Sequence, residues 1–234
     1  TWMINQDSMA ELDKLITRPG DFFEDINLFR LMDNNGWKAG LHLFKDKLEL
    51  ALLIKPLALA NLVSQGNYYI NIIFFSGLCF WGHFWLYRLV LQTEPLAKNL
   101  AFACIFLYPP TVFWLSGIRA DGILFLFFSL TLWQFRHWLK SGGWKPLWWC
   151  LVGVGGMLVI RTAFGLLVIP ALACWWLVEK KQVSFFRSVL YIYGAGILLF
   201  FLSVYWPAPF NGPEQVISRQ QSFFALSGSR VPLD

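Results

Sequence analysis

Apolar residues in this chain come in long blocks, and charged residues gather in the short seams between the blocks. The blocks begin near residue 67. Before that point the sequence is mixed, and the pattern is one of helical periodicity. In FFEDINLFRLMD, Phe22, Ile26, Phe29 and Met32 recur at three- and four-residue spacing and predict one amphipathic helix. In LHLFKDKLELALLI, apolar positions recur around Lys45, Asp46, Lys47 and Glu49 and predict another. Such helices either lie on a membrane surface or pack as ordinary helices.

A helix crosses the bilayer core with about 20 apolar residues. By that measure the blocks predict spans over 69–91, 98–118, 121–138 and 188–206. The pair Pro109-Pro110 predicts a kink or break in the second, because proline removes a backbone donor and crowds the preceding turn. The block from Leu147 to Val178 is too long for one span and carries Arg161 at its middle, so it divides into 146–160 and 162–178. The expected organisation has a first outer loop with juxtamembrane amphipathic helices at 1–66. A bundle of about six spans follows at 67–206. An outer tail occupies 207–234, entered through the Pro- and Gly-containing PAPFNGPE. The predicted fold class is all-α, a polytopic transmembrane helix bundle.

Composition agrees with this pattern. The chain is 57% hydrophobic and 14% charged, against about 25% charged in soluble domains. The 13 Trp and 23 Phe suit a chain with many membrane interfaces. In a soluble protein a net charge of +5 would raise the question of nucleic acid. Here the charge falls at turns, and no nucleic-acid partner is expected. Arg88 with Lys98, Arg136 with Lys140 and Lys145, and Lys180 with Lys181 and Arg187 mark three inner turns. Six crossings then put residues 1–66, the Arg119/Asp121 turn, the Arg161 turn and the tail on the outer side. The expected location is integral and multi-pass, in a bacterial inner membrane or its equivalent, with membrane lipid as a partner and the active face outward. Cys79, Cys104, Cys150 and Cys174 lie in apolar blocks without CxxC spacing or a His cluster, and read as buried thiols rather than disulfides or zinc ligands.

Few residues are left to carry chemistry. GDFFED sets Asp21, Glu24 and Asp25 within one turn of each other on a helix. Clustered carboxylates supply a general base, or bind a divalent cation, although nothing in the sequence requires one. They are also common as a solvated helix start. WLSGIRADG sets Arg119 and Asp121 at a seam between two apolar blocks, and Arg161 stands at another. Ionisable residues at membrane depth are costly and usually functional. A guanidinium matches a phosphate through paired hydrogen bonds, and it also snorkels to lipid headgroups. Asp121 is suited to cap the helix that follows it. GVGG, residues 153–156, lacks the Lys-Ser/Thr of a phosphate loop and reads as a close helix contact. His83, beside Trp81 and Trp85, reads as a packed side chain.

Three stretches taken in order resemble a known family. They are GDFFEDINLFRLMDNNGW, AFACIFLYPPTVFWLSGIRADGILFLFFSLTLWQF and WWCLVGVGGMLVIRTAFGLLVIPALACWW. Their layout resembles polytopic GT-C glycosyltransferases of the protein mannosyltransferase and aminoarabinose transferase kind, over roughly residues 20–206. The resemblance lies in feature order: an acidic first loop, a Pro-containing span, a turn with Asp, a Phe/Leu-rich span and a Gly-rich half-span. Arg161-Thr162 stands where Lys is usual, and the family's Asp-Glu pair at the start of the first loop is not cleanly present. The family also has a span before that loop and more spans after it, which leads to the expectation that this chain is a fragment.

The resemblance implies a polyprenyl-phosphate sugar donor, an acid among Asp21, Glu24 and Asp25 acting as base, and Arg119, Arg161 and Arg219 on the departing phosphate. It implies no nucleotide and no obligatory cofactor. Two other readings remain beside it. One is a transporter of a lipid-linked substrate, since charge at membrane depth also marks transport paths. The other is a non-catalytic membrane scaffold subunit, whose partner is a larger membrane complex.

Overall fold

The computed structural model describes residues 2–24, 26–94, 98–109 and 117–205, with positions 213, 217, 220 and 221 beyond them. Asp25 and Arg219 lie outside the described residues, as does most of the expected tail. Among the described residues every regular element is helical. In order these are α1 (Trp2–Thr17), α2 (Asp21–Glu24), α3 (Leu28–Asn35), α4 (Trp37–Ser64), α5 (Tyr68–Thr93) and α6 (Lys98–Phe102). Helix α6 runs on into a π-helical turn, Ala103–Leu107. Then come α7 (Ala120–Ser141), α8 (Trp144–Ile160), α9 (Thr162–Lys181) and α10 (Phe185–Leu202), closed by a 3₁₀ turn at Ser203–Tyr205.

Local chemistry explains several boundaries. The single amphipathic helix expected over 22–33 is broken in two. The Asn27 side chain accepts a hydrogen bond from the Arg30 backbone N–H and so starts α3 afresh. Phe22 is consequently buried at 3% exposure while Phe29 is 81% exposed, so the predicted common face does not exist. Asn67 caps α5 in the same way, accepting from Tyr69 N–H at 3.0 Å. The helical run from Lys98 stops at Leu107. Tyr108 is extended at φ −65°, ψ 115°, as a residue before proline prefers, and the break expected at Pro109-Pro110 begins there. The division at Arg161 is also present: α8 ends at Ile160 and α9 starts at Thr162.

The chain divides into two compact units, residues 1–168 and 169–234. In the first unit, α1 and α3 pack on α4, and α5, α7 and α8 pack side by side. The core joins Leu53 and Leu57 of α4 to Phe75 and Cys79 of α5, Ile123 of α7, and Ile118 and Ile160 at the two seams. Above Leu57 a buried polar network ties three helices together. Asn71 Nδ2 donates to Asn5 Oδ1 at 2.7 Å and to Asn61 Oδ1 at 2.6 Å. Ser64 Oγ donates to Asn71 Oδ1 at 2.6 Å, and Asn61 Nδ2 donates to Ser8 Oγ at 2.8 Å. Every one of these five residues is buried, and each bond replaces water that burial removes. The second helix expected from the sequence is thus the middle of a 28-residue packed helix, α4.

Two glycines of α8 meet α7 closely. A Cβ on Gly156 would lie 2.5 Å from the Phe127 ring, and one on Gly153 would collide with Thr131 Oγ1. The GVGG stretch is a helix contact. In the second unit, the Cys174 thiol donates to the Ser188 carbonyl at 3.5 Å and joins α9 to α10.

Three helical stretches are long and apolar enough to cross a membrane: Tyr68–Thr93, Thr162–Lys181 and Phe185–Tyr205. Lys98–Leu107 and Trp144–Ile160 are shorter apolar helices. Only 11% of the best window in Phe185–Tyr205 is buried. Apolar surface of that extent is stable only where it is kept from water. Cys79, Cys150 and Cys174 are buried as expected, whereas Cys104 is exposed; all four are free thiols.

Candidate functional site

A cavity of about 750 Å³ is built from the first four helices. One wall is the end of α1, with Asp13, Lys14, Thr17 and Arg18. Helix α2 contributes Asp21 and Glu24, α3 contributes Arg30 and Asn34, and α4 contributes Lys47. Helix α2 has only four residues and cannot hold itself in place. It is anchored by Phe22, whose carbonyl accepts a hydrogen bond from Lys55 Nζ and whose ring centroid lies 3.8 Å from that ammonium. Helix α3 reaches α4 because residue 40 is glycine. A Cβ there would sit 2.6 Å from the Met32 backbone.

The two described acids of the GDFFED cluster differ in their partners. Glu24 Oε2 accepts from Arg30 Nη1 at 2.6 Å, a charge-assisted bond that commits one oxygen. Asp21 Oδ2 lies 3.9 Å from Arg18 Nη1, beyond hydrogen-bond length. Both carboxylates are about half exposed. The less committed Asp21 has the open lone pairs that a proton acceptor needs. Sequence reading missed Asp13, Asn34 and Lys47 as lining residues. The i, i+4 pair Asp13 and Thr17 was a signal for one helical face, but the first 17 residues were not read as a helix.

A second charged group forms at the seams. Arg161 Nη2 lies 3.8 Å from Asp121 Oδ1, so the two residues predicted from separate turns do meet. Arg119 is the N-cap position of α7, two residues from Asp121. The residue at the cap position does not cap the helix with its side chain, and Asp121 sits in the first turn of that helix. Its charge there still favours the helix dipole. Lys45 Nζ donates to Thr162 Oγ1 at 2.7 Å, and that hydroxyl donates onward to the Leu158 carbonyl at 3.0 Å. Lys45 is therefore a member of this group that sequence reading did not single out. Arg119 and Arg161 each follow a buried isoleucine of the apolar core, Ile118 and Ile160.

The two groups are distinct. None of Arg119, Asp121 and Arg161 lines the large cavity. Lys45 and Lys47, two positions apart on α4, stand about 200° apart around the helix, one at the Thr162 seam and the other at the cavity. His83 is packed: its Nδ1 lies 3.2 Å from the Cys79 carbonyl, and its ring contacts Phe106 and Phe125. Among the described residues no three His, Cys, Asp or Glu side chains form a metal-binding group. Comparison of the chain with protein-family models, with curated proteins and with solved structures finds no match.

Proposed function

We propose that this chain is a multi-pass membrane glycosyltransferase that moves a sugar from a polyprenyl-phosphate donor to an acceptor at the outer face. The observation that carries the reading is a polar cavity in which Asp21 has only a long 3.9 Å ion pair to Arg18, in a chain that also holds helices of membrane length. In this reading Asp21 accepts the proton of the acceptor hydroxyl or amine. The acceptor atom attacks the anomeric carbon, the bond from that carbon to the phosphate oxygen breaks, and the electron pair leaves with polyprenyl phosphate. Lys14 and Arg18, on the wall of the same cavity, supply the positive field for that leaving charge; the Arg119 and Arg161 seam does not line the cavity and takes no part in the step. Glu24 and Arg30 hold each other and shape the wall. Loop charge sets the cavity on the outer side.

The test is transfer from a radiolabelled polyprenyl-phosphate sugar into lipid and protein fractions. Asp21→Asn is expected to slow transfer by about 10²–10⁴-fold with expression unchanged, and Glu24→Gln to slow it far less. Normal transfer by both variants removes the proposed base.

The exposed length of α10 favours a second reading, a scaffold subunit that packs against a partner in the membrane. Purification only as a larger stable complex, with no transfer by that complex, selects it.

A further inference from the structure

A second cavity, of about 200 Å³, has a different lining. Ile26, Leu50, Ala51 and Ile54 make it mainly apolar, and the Glu11 and Lys55 pair, 3.6 Å apart, completes it. Lys47 lines this cavity and the large polar one alike, so the two spaces meet at its side chain. The neighbouring cations have acidic partners: Lys14 and Lys55 with Glu11, Arg30 with Glu24. Lys47 makes no ion pair or hydrogen bond with any described residue.

A polar space, an apolar space and a cation at their joint have the anatomy of a phospholipid. Such a lipid carries its phosphate between a polar headgroup and hydrocarbon. A lysine suits that joint because its stem is apolar and its ammonium is charged. Phe75 and Cys79 of the membrane-length α5 join Leu53 and Leu57 of α4 in the core, within a turn of Leu50, Ala51 and Ile54. We propose that the two cavities together bind one anionic phospholipid with a hydroxylated headgroup. Its phosphate lies against Lys47, its headgroup lies among Asp13, Thr17 and Asn34, and the first methylenes of a chain lie against Leu50, Ala51 and Ile54. Identifying this lipid as the acceptor rests on the transferase reading; the binding site does not.

The experiment titrates dioctanoyl phosphatidylglycerol and dioctanoylglycerol, which lacks the phosphate, into the purified full chain in detergent, with no sugar donor present. The chain should bind the phosphate-bearing lipid more tightly by about tenfold, the worth of one charge-assisted contact. Lys47→Gln, at an exposed position, should remove that preference. Ala51→Trp should weaken both lipids by filling the apolar cavity; if it fails to fold by circular dichroism, Ala51→Leu takes its place. Equal binding of the two lipids, or a preference that survives Lys47→Gln, overturns the proposal. Inorganic phosphate competing as well as the lipid makes this a site for a free anion and overturns the lipid assignment. Farnesyl phosphate competing better than phosphatidylglycerol assigns the space to a donor tail and overturns the headgroup assignment. A chain that binds phosphatidylglycerol but transfers no sugar sinks the transferase reading alone. Transfer to a neutral acceptor without phosphatidylglycerol binding sinks the lipid site alone.

Discussion

Asn71 shows how much one buried side chain decides here. It links Asn5 of α1, Asn61 and Ser64 of α4, and its own helix α5. Replacing it with leucine keeps the branched side-chain skeleton but strands Asn5 Oδ1 without a donor. Asn71→Leu should therefore lower the unfolding free energy by about 1–3 kcal/mol, measured by denaturant titration in detergent. Because α1 also forms a wall of the polar cavity, the same variant should weaken phosphatidylglycerol binding without touching Lys47. This network was not legible in the sequence. Single Asn and Ser residues carry no period, and their partners stand as far as 66 positions away. Asp21 was legible as a candidate, but its difference from Glu24 was not. That difference depends on where Arg18 and Arg30 come to rest.

At the scale of elements, close helix contacts set the geometry, and glycine is where they are made. Gly40 lets α3 cross α4 and brings Arg30 and Asn34 to the cavity. Gly40→Val should push α3 away by steric contact with the Met32 backbone, at a cost of about 1–3 kcal/mol, and release Glu24 from its present wall. Trypsin cleavage after Arg30, faster in the variant, reports that release. On α8 the contrast lies within one motif. Gly153→Leu should destabilise the α7–α8 contact by about 1–3 kcal/mol. Gly155 has open space around it, so Gly155→Ala should be neutral or stabilising by up to ~1 kcal/mol. Thermal unfolding of the two variants side by side separates them. Reading GVGG as a helix contact was correct in kind, yet the sequence did not distinguish which glycines touch the neighbour.

At the scale of the whole molecule, the predictions concern the membrane. The proposed orientation, drawn from loop charge, puts residues 1–66 and the turn at Ser141 on opposite faces. Gly20 and Ser141 are both exposed. In a Cys104→Ser background, Gly20→Cys should react with a membrane-impermeant maleimide on intact cells, and Ser141→Cys only after lysis. The reverse pattern inverts the orientation and moves the cavity to the inner side.

The sequence alone determined that the described residues are helical, that some of the chain's apolar blocks form helices of membrane length, three among the described residues rather than the six spans expected, that α8 and α9 part at Arg161, and that acids and arginines are few enough to count as candidates. Each of these is a local property, a sum over neighbouring residues or a contact within one helical turn. The tertiary structure decided that the helix expected over 22–33 is broken, and that Asp21 and Glu24 line a cavity that Arg119, Asp121 and Arg161 do not. It also decided that Lys47 sits where a polar and an apolar cavity meet. A cavity is bounded by residues from several elements. Its charge is set by which side chains fold against one another, and no window of sequence contains that information.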